Sequence, residues 1–217
     1  MKKLLQLLFL LFSLTPIAQN TIYVNVNVSG GNNDGTSWAN AYQHLTDALN
    51  AASSYDEIHV AQGNYYPDLG ASQTDNDRSS YFLLNKNYIT LLGGYNASNN
   101  SRNPELYPTI LNGDIQQNNN DQNFVYTIFR TSGDYNIIDG FTITNSNADN
   151  SGGYGSNEGG GMFARGANAT VISNCKFINN KAINTTSYNA KGGAIYIVEI
   201  EPGSLIIRDC TFETNMA

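Results

Sequence analysis

Basic residues are scarce in this chain. Eleven Lys and Arg stand against 18 Asp and Glu in 217 residues, a formal net charge of −7. After Lys2 and Lys3 they form no cluster, which excludes nucleic acid and anionic membrane surfaces as partners. Acidic polysaccharides would likewise need local Arg or Lys to overcome repulsion. The two histidines, His44 and His59, have no third ligand or nucleophile beside them, so both read as structural. Trp occurs once and charged residues make up only 13%. Asn is the commonest residue, and Asn and Gly fill most gaps between apolar stretches. That balance argues against a helical bundle and suits many short strands joined by turns.

One longer apolar run does exist. Met1-Lys2-Lys3 gives a basic start, 4–14 is apolar apart from Gln6 and Ser13, and Thr15-Pro16-Ile17-Ala18-Gln19 resembles a cleavage region. The run is too short for a comfortable membrane span, so 1–19 is expected to be a removed export signal. No transmembrane segment is then expected in the mature chain, and no Cys lies near the cut to carry a lipid. Losing Lys2 and Lys3 lowers the net charge of −7 by two, to −9.

Periodicity predicts one helix, over 37–52. Thr36 or Ser37 caps it, Trp38, Ala41, Tyr42, Leu45, Ala48, Leu49 and Ala52 share a face, and Asn40, Gln43, Asp47 and Asn50 lie opposite. Strands are expected at 21–26, 57–61, 81–84, 89–92, 109–111, 124–129, 137–139 and 141–144. The polar connections 96–108 and 116–122 are long for a compact sandwich and natural as excursions from a coil.

The chain also repeats itself. IIDGFTITNSNA (137–148), VISNCKFINNKA (171–182) and IIRDCTFETNMA (206–217) align without a gap. GGGMF at 159–163 and GGAIY at 192–196 recur in step with them. A period near 34 residues, rich in β-branched and aromatic residues and without a 3.6-residue rhythm, predicts a parallel β-solenoid with coils about 4.8 Å apart. Like residues should then stack. Ile138, Ile172 and Ile207 form one expected ladder, Ile143, Phe177 and Phe212 a second, and Asn180 with Asn215 an amide ladder. Gly159, Gly160, Gly192 and Gly193 are expected to provide turns with positive φ and close approach between coils. The division that follows is 1–19 signal, 20–66 N-terminal cap (strand, helix, strand) and 67–217 coils. The helix would cover an otherwise open strand edge, and the pattern at Ala217 suggests that further coils follow.

The GGAI and FxxN elements, at 192–195, 177–180 and 212–215, resemble the repeats of the chlamydial polymorphic outer-membrane proteins. They are similar also to right-handed parallel β-helix proteins secreted by Bacteroidota. NDGTSWANAYQHLTDALNAA with DEIHVAQGNYYP looks like the start of many such proteins, some of them pectate-lyase-like, and LLGGY, TILNGDI and DGFTIT follow the secreted family's order. The likeness covers nearly all of the mature chain. Phe141 stands where the other copies have Cys, and GGGMF replaces GGAI at 159. The resemblance implies an all-β, right-handed parallel β-helix with one N-terminal capping α-helix. It also implies a secreted or outer-membrane-surface protein of a Gram-negative bacterium, used for adhesion or surface display through carbohydrate or cell-surface protein. The alternative is a polysaccharide lyase or glycosidase with a groove along the helix; a non-catalytic role is favoured. Asp114, Asp134 and Asp139 lie near strand ends, where β-helix lyases keep metal-binding carboxylates. Arg130, Arg165 and Arg208, the nearby arginines, are not tied to them by spacing, so no catalytic set is assigned.

The remaining candidates are weaker. Cys175 and Cys210 share one phase of adjacent coils; stacked buried thiols are the favoured reading and a disulfide the alternative. SGGNNDG (29–35) and Gln73-Thr74-Asp75-Asn76-Asp77 could offer oxygens to Ca²⁺, but neither is a full calcium loop, and solvated turns with no cofactor are expected. Tyr65, Tyr66, Tyr95 and Tyr154 could stack on sugars.

Overall fold

The computed structural model describes residues 19–149, 158–183, 190–201 and 204–217. Residues 1–18, and with them most of the expected signal segment, lie outside the described part. No helix among the described residues is long and apolar enough to cross a membrane.

The repeat makes a coil because each unit contributes a strand to three parallel sheets in turn. The first sheet runs Thr21–Val24, Glu57–Ala61, Thr90–Asn96, Ile137–Asp139, Val171–Ser173 and Ile206–Arg208, every neighbour parallel. The second runs Gly63–Tyr65, Thr109–Asn112, Phe141–Ala148, Lys176–Ala182 and Thr211–Glu213. The third runs Phe82–Leu84, Phe129–Thr131, Met162–Arg165 and Ile195–Val198. The result is an all-β, right-handed parallel β-helix of about five turns with one α-helix. Strands of the 20–66 segment already belong to the first two sheets.

Register turns this winding into ladders. Ile22, Ile58, Leu91, Ile138, Ile172 and Ile207 pair in succession along the first sheet. Tyr65, Leu111, Ile143, Phe177 and Phe212 do so along the second, and Phe82, Phe129, Met162 and Ile195 along the third. The inner rungs are fully buried, each contributing about 1.5–3 kcal/mol in transfer from water. Phe177 and Phe212 stack at 5.2 Å with rings 7° from parallel.

An amide column runs beside the apolar one. Asn180 Nδ2 donates to Ile143 O at 2.9 Å and to Asn215 Oδ1 at 3.1 Å, while Ser146 Oγ donates to Asn180 Oδ1 at 3.1 Å. The Gly pairs divide their labour. Gly159 and Gly192 take φ of +63°, whereas Gly160 and Gly193 do not have positive φ but face backbone of the next coil. A Cβ on Gly160 would meet Lys181 O, Ser146 Oγ at 2.7 Å and Gly193 O at 2.8 Å.

Two elements differ from expectation. The single helix over 37–52 is instead a 3-10 turn, Trp38–Asn40, and an α-helix, Leu45–Ala51. Between them Tyr42 exchanges backbone bonds with Tyr23 and Asn25 at 2.9 Å, so parallel pairing wins over helix propensity there. Ser37 does cap, accepting from Asn40 N, but it caps the 3-10 turn. The α-helix buries Leu45, Ala48 and Leu49 in the same core as Val24 and Phe82. The strand expected at 124–129 begins only at Phe129. Val125 bonds Gly113 O and Asn147 N instead, within the turn region.

Corners between sheets need left-handed backbone, and the same positions in successive coils take it. Gly140, Asn174 and Asp209 form one such column. Asn145, Asn179 and Thr214 form a second, and Tyr55, Tyr88, Tyr135 and Ala169 a third, two residues before the middle four strands of the first sheet.

Candidate functional site

The connection 96–108 folds back on the rod. Its strand Ser101–Arg102 pairs antiparallel with Tyr95 and Asn96 and so delivers Arg102 to Asp139. Arg102 donates to Gly93 O at 2.9 Å and Asp139 O at 3.2 Å, besides the Asp139 carboxylate. Ser173 Oγ and Asn174 Nδ2 both donate to the other Asp139 oxygen at 2.6 Å. Beyond them Lys176 pairs with Glu105 at 2.8 Å, and Arg208 lies 3.5 Å from Asp209. Of these, Arg102, Asp139, Asn174, Glu105, Lys176 and Asp209 line a groove of about 290 Å³ at the corner between the first and second sheets.

Burial alone would raise the Asp139 carboxyl, but the bonds from Ser173, Arg102 and Asn174 outweigh it and hold the group below its ordinary 3.8. A carboxylate depressed in the folded state stabilises above its unfolded value and loses that contribution as pH falls through the folded one. Acid titration of stability should therefore show a loss below about pH 4 that Asp139→Asn removes, followed by denaturant midpoints from pH 6 to 2. An unchanged acid limb in that variant would place the linkage elsewhere.

The thiols sit at the same corner. Cys175 is buried, Cys210 half-buried, and both are free. The hydrogen bond from Cys175 stabilises the Cys210 thiolate and draws it down to about 7; the same bond and then burial push Cys175 up. Iodoacetamide should label Cys210 in the native protein far faster at pH 8 than at pH 5.5, and Cys175 only after unfolding. Mass spectrometry of the labelled peptides checks this, and equal labelling would refute the assigned asymmetry.

The other expected candidates separate. Asp114 accepts from Asn118 and Asn119 N–H at 3.2 and 2.9 Å, and Asp134 from Asn168 N at 2.8 Å, each at a different corner from Asp139. Arg130 lies over Tyr81 at 4.0 Å and Arg165 pairs with Glu199 at 2.7 Å. Neither reaches these aspartates. In the acidic turns Asp34 accepts from Thr36 and Asp77 from Ser79. Among the described residues no group of three or more His, Cys, Asp or Glu is arranged to hold a metal. His59 contacts Glu57 and lies flat on Tyr95 at 4.2 Å, whereas His44 precedes the α-helix without a capping bond.

Three of the four tyrosines singled out from sequence are unsuited to a sugar or undescribed. Tyr65 and Tyr95 are buried, and Tyr154 lies outside the described residues. The exposed rings are others. Tyr55, Tyr88 and Tyr135 are 40%, 39% and 53% exposed and stack at 4.6 and 4.8 Å, within 10° and 3° of parallel. Their signal was legible: each Tyr stands two residues before a first-sheet strand, at Glu57, Thr90 and Ile137. Arg102 had none, because a connection outside the repeat brings it.

Fold and site together define a right-handed parallel β-helix scaffold with a self-neutralised polar corner and an exposed aromatic corner. No family model, curated protein or solved structure matches the chain.

Proposed function

We propose that the protein is an exported β-helix of the kind secreted by Bacteroidota, serving adhesion or surface display by binding glycan or protein along its flank. The charge pairing in the groove carries this reading. A general base needs a lone pair facing the substrate, and both Asp139 oxygens already accept bonds from Arg102, Ser173 and Asn174. The outer face of the second sheet presents Asn64, Ile110 and Thr142, and beside them Asn112, Thr144 and Ile178, uncharged until Lys176 and Glu213 continue the two columns in the last coils.

The presence of Asp139, Glu105 and Asp209 with Arg102 and Lys176 around one groove supports a second reading, a polysaccharide lyase. Incubation with polyuronates separates the two. The binding reading expects no ultraviolet-absorbing unsaturated sugar, and saturable binding to glycan or surface-protein arrays. Release of unsaturated product, abolished by Arg102→Ala, would overturn it in favour of the lyase.

A further inference from the structure

Left-handed backbone costs a non-Gly residue roughly 1–2 kcal/mol, least for Asn and Asp. Two of the three corner columns take mainly tolerant residues: Gly140, Asn174 and Asp209 in one, Asn145 and Asn179 in the other, with Thr214 only in the last coil. The third places bulky rings there, Tyr55 at φ +77°, Tyr88 at +60° and Tyr135 at +59°. Their two stacking contacts return about 0.5–1.5 kcal/mol each, less than three strained residues cost. Strain that the fold does not repay concentrates at functional positions.

The surroundings indicate what the rings meet. A cleft of about 340 Å³ is lined by Gln19, Tyr55, Tyr88, Thr90 and Tyr135, with no formal charge among them. The column stops at exposed Ala169, whose methyl leaves the outer face of Tyr135 open. Three half-exposed rings offer on the order of 300 Å², well short of the ~800 Å² that each partner gives to a standard protein interface. The cleft has the size of a small-ligand site. We propose that the Tyr55–Tyr88–Tyr135 corner binds neutral glycans, the open Tyr135 face meeting the C–H face of a sugar ring while the phenol and Thr90 hydroxyl groups meet its hydroxyls. Asp134 beside the column and the net charge of −7 disfavour uronates there. The inference rests on the binding role proposed above and narrows it to one ligand class and one site.

The test compares the wild-type chain with a Tyr55→Asn, Tyr88→Asn, Tyr135→Asn variant. Cello- and manno-oligosaccharides and polygalacturonate serve as probes, read by calorimetry, with melting temperatures alongside. Expected are saturable binding of a neutral oligosaccharide, weaker or absent binding of polygalacturonate, and at least a tenfold loss in the variant. The variant should stay folded, since Asn takes left-handed backbone at lower cost. If the triple variant loses its fold, Tyr135→Asn alone, at the open end of the column, makes the same comparison. Undiminished glycan binding in the variant, preference for polygalacturonate, or no binding of either neutral glycan overturns the inference. The broader reading fails separately, if the surface-protein and glycan arrays are both silent or polyuronates yield unsaturated product.

Discussion

Phe177→Ala should lower stability by about 3–5 kcal/mol, the usual cost of emptying a fully buried aromatic site. Phe177 is 0% exposed, between Ile143 of the coil before and Phe212 of the coil after. A domain holds together by only about 5–15 kcal/mol, so this one change removes much of the margin. Phe212 stacks on the same ring but is 49% exposed. Phe212→Ala should therefore cost less than half as much. Denaturant midpoints of both variants check the contrast, and equal losses would mean that Phe177 is not the inner rung.

Asn180→Leu should cost about 3 kcal/mol although it makes the side chain more apolar. It takes the amide partner from the Ile143 carbonyl and the Ser146 hydroxyl at buried positions, while the Asn215 amide oxygen keeps only its bond from the Asn180 N–H at 3.1 Å. Each such group costs about 1–3 kcal/mol, and the added hydrophobic transfer returns part of that. Ser146→Ala removes one bond from the same column and should cost about 1 kcal/mol. Chemical denaturation of the two variants measures the ratio. A neutral Asn180→Leu would show that packing, and not the amide column, sets the alignment of these coils.

The later coils were legible because inward positions must match their neighbours. Ile138, Ile172 and Ile207, or Phe177 and Phe212, repeat a type at a fixed interval, and the register pairs them. Earlier rungs such as Ile22, Ile58 and Leu91 satisfy the same geometry with connections of varied length, which hid the period. The helix was misjudged at Ala41 and Tyr42, where apolar spacing is helical but the backbone pairs with Tyr23 and Asn25. At the groove, Asp139 was visible and its partner Arg102 was not, since proximity there depends on how a connection folds back. The tyrosine corner is written in the sequence only as a shared offset from the strand start, at Tyr55, Tyr88 and Tyr135, which composition and adjacent Tyr pairs do not reveal.

The pairing of each coil with only the coils beside it has a mechanical consequence. Matching rungs such as Ile143, Phe177 and Phe212 lie 34 and 35 residues apart. Tension applied along the rod should peel off whole circuits, the last ones each releasing about 11–12 nm of chain at ~3.4 Å per residue. The circuit from Leu91 to Ile138, with its long excursion, would give a visibly larger step, so the molecule would lengthen loop by loop, as a rope leaves a drum.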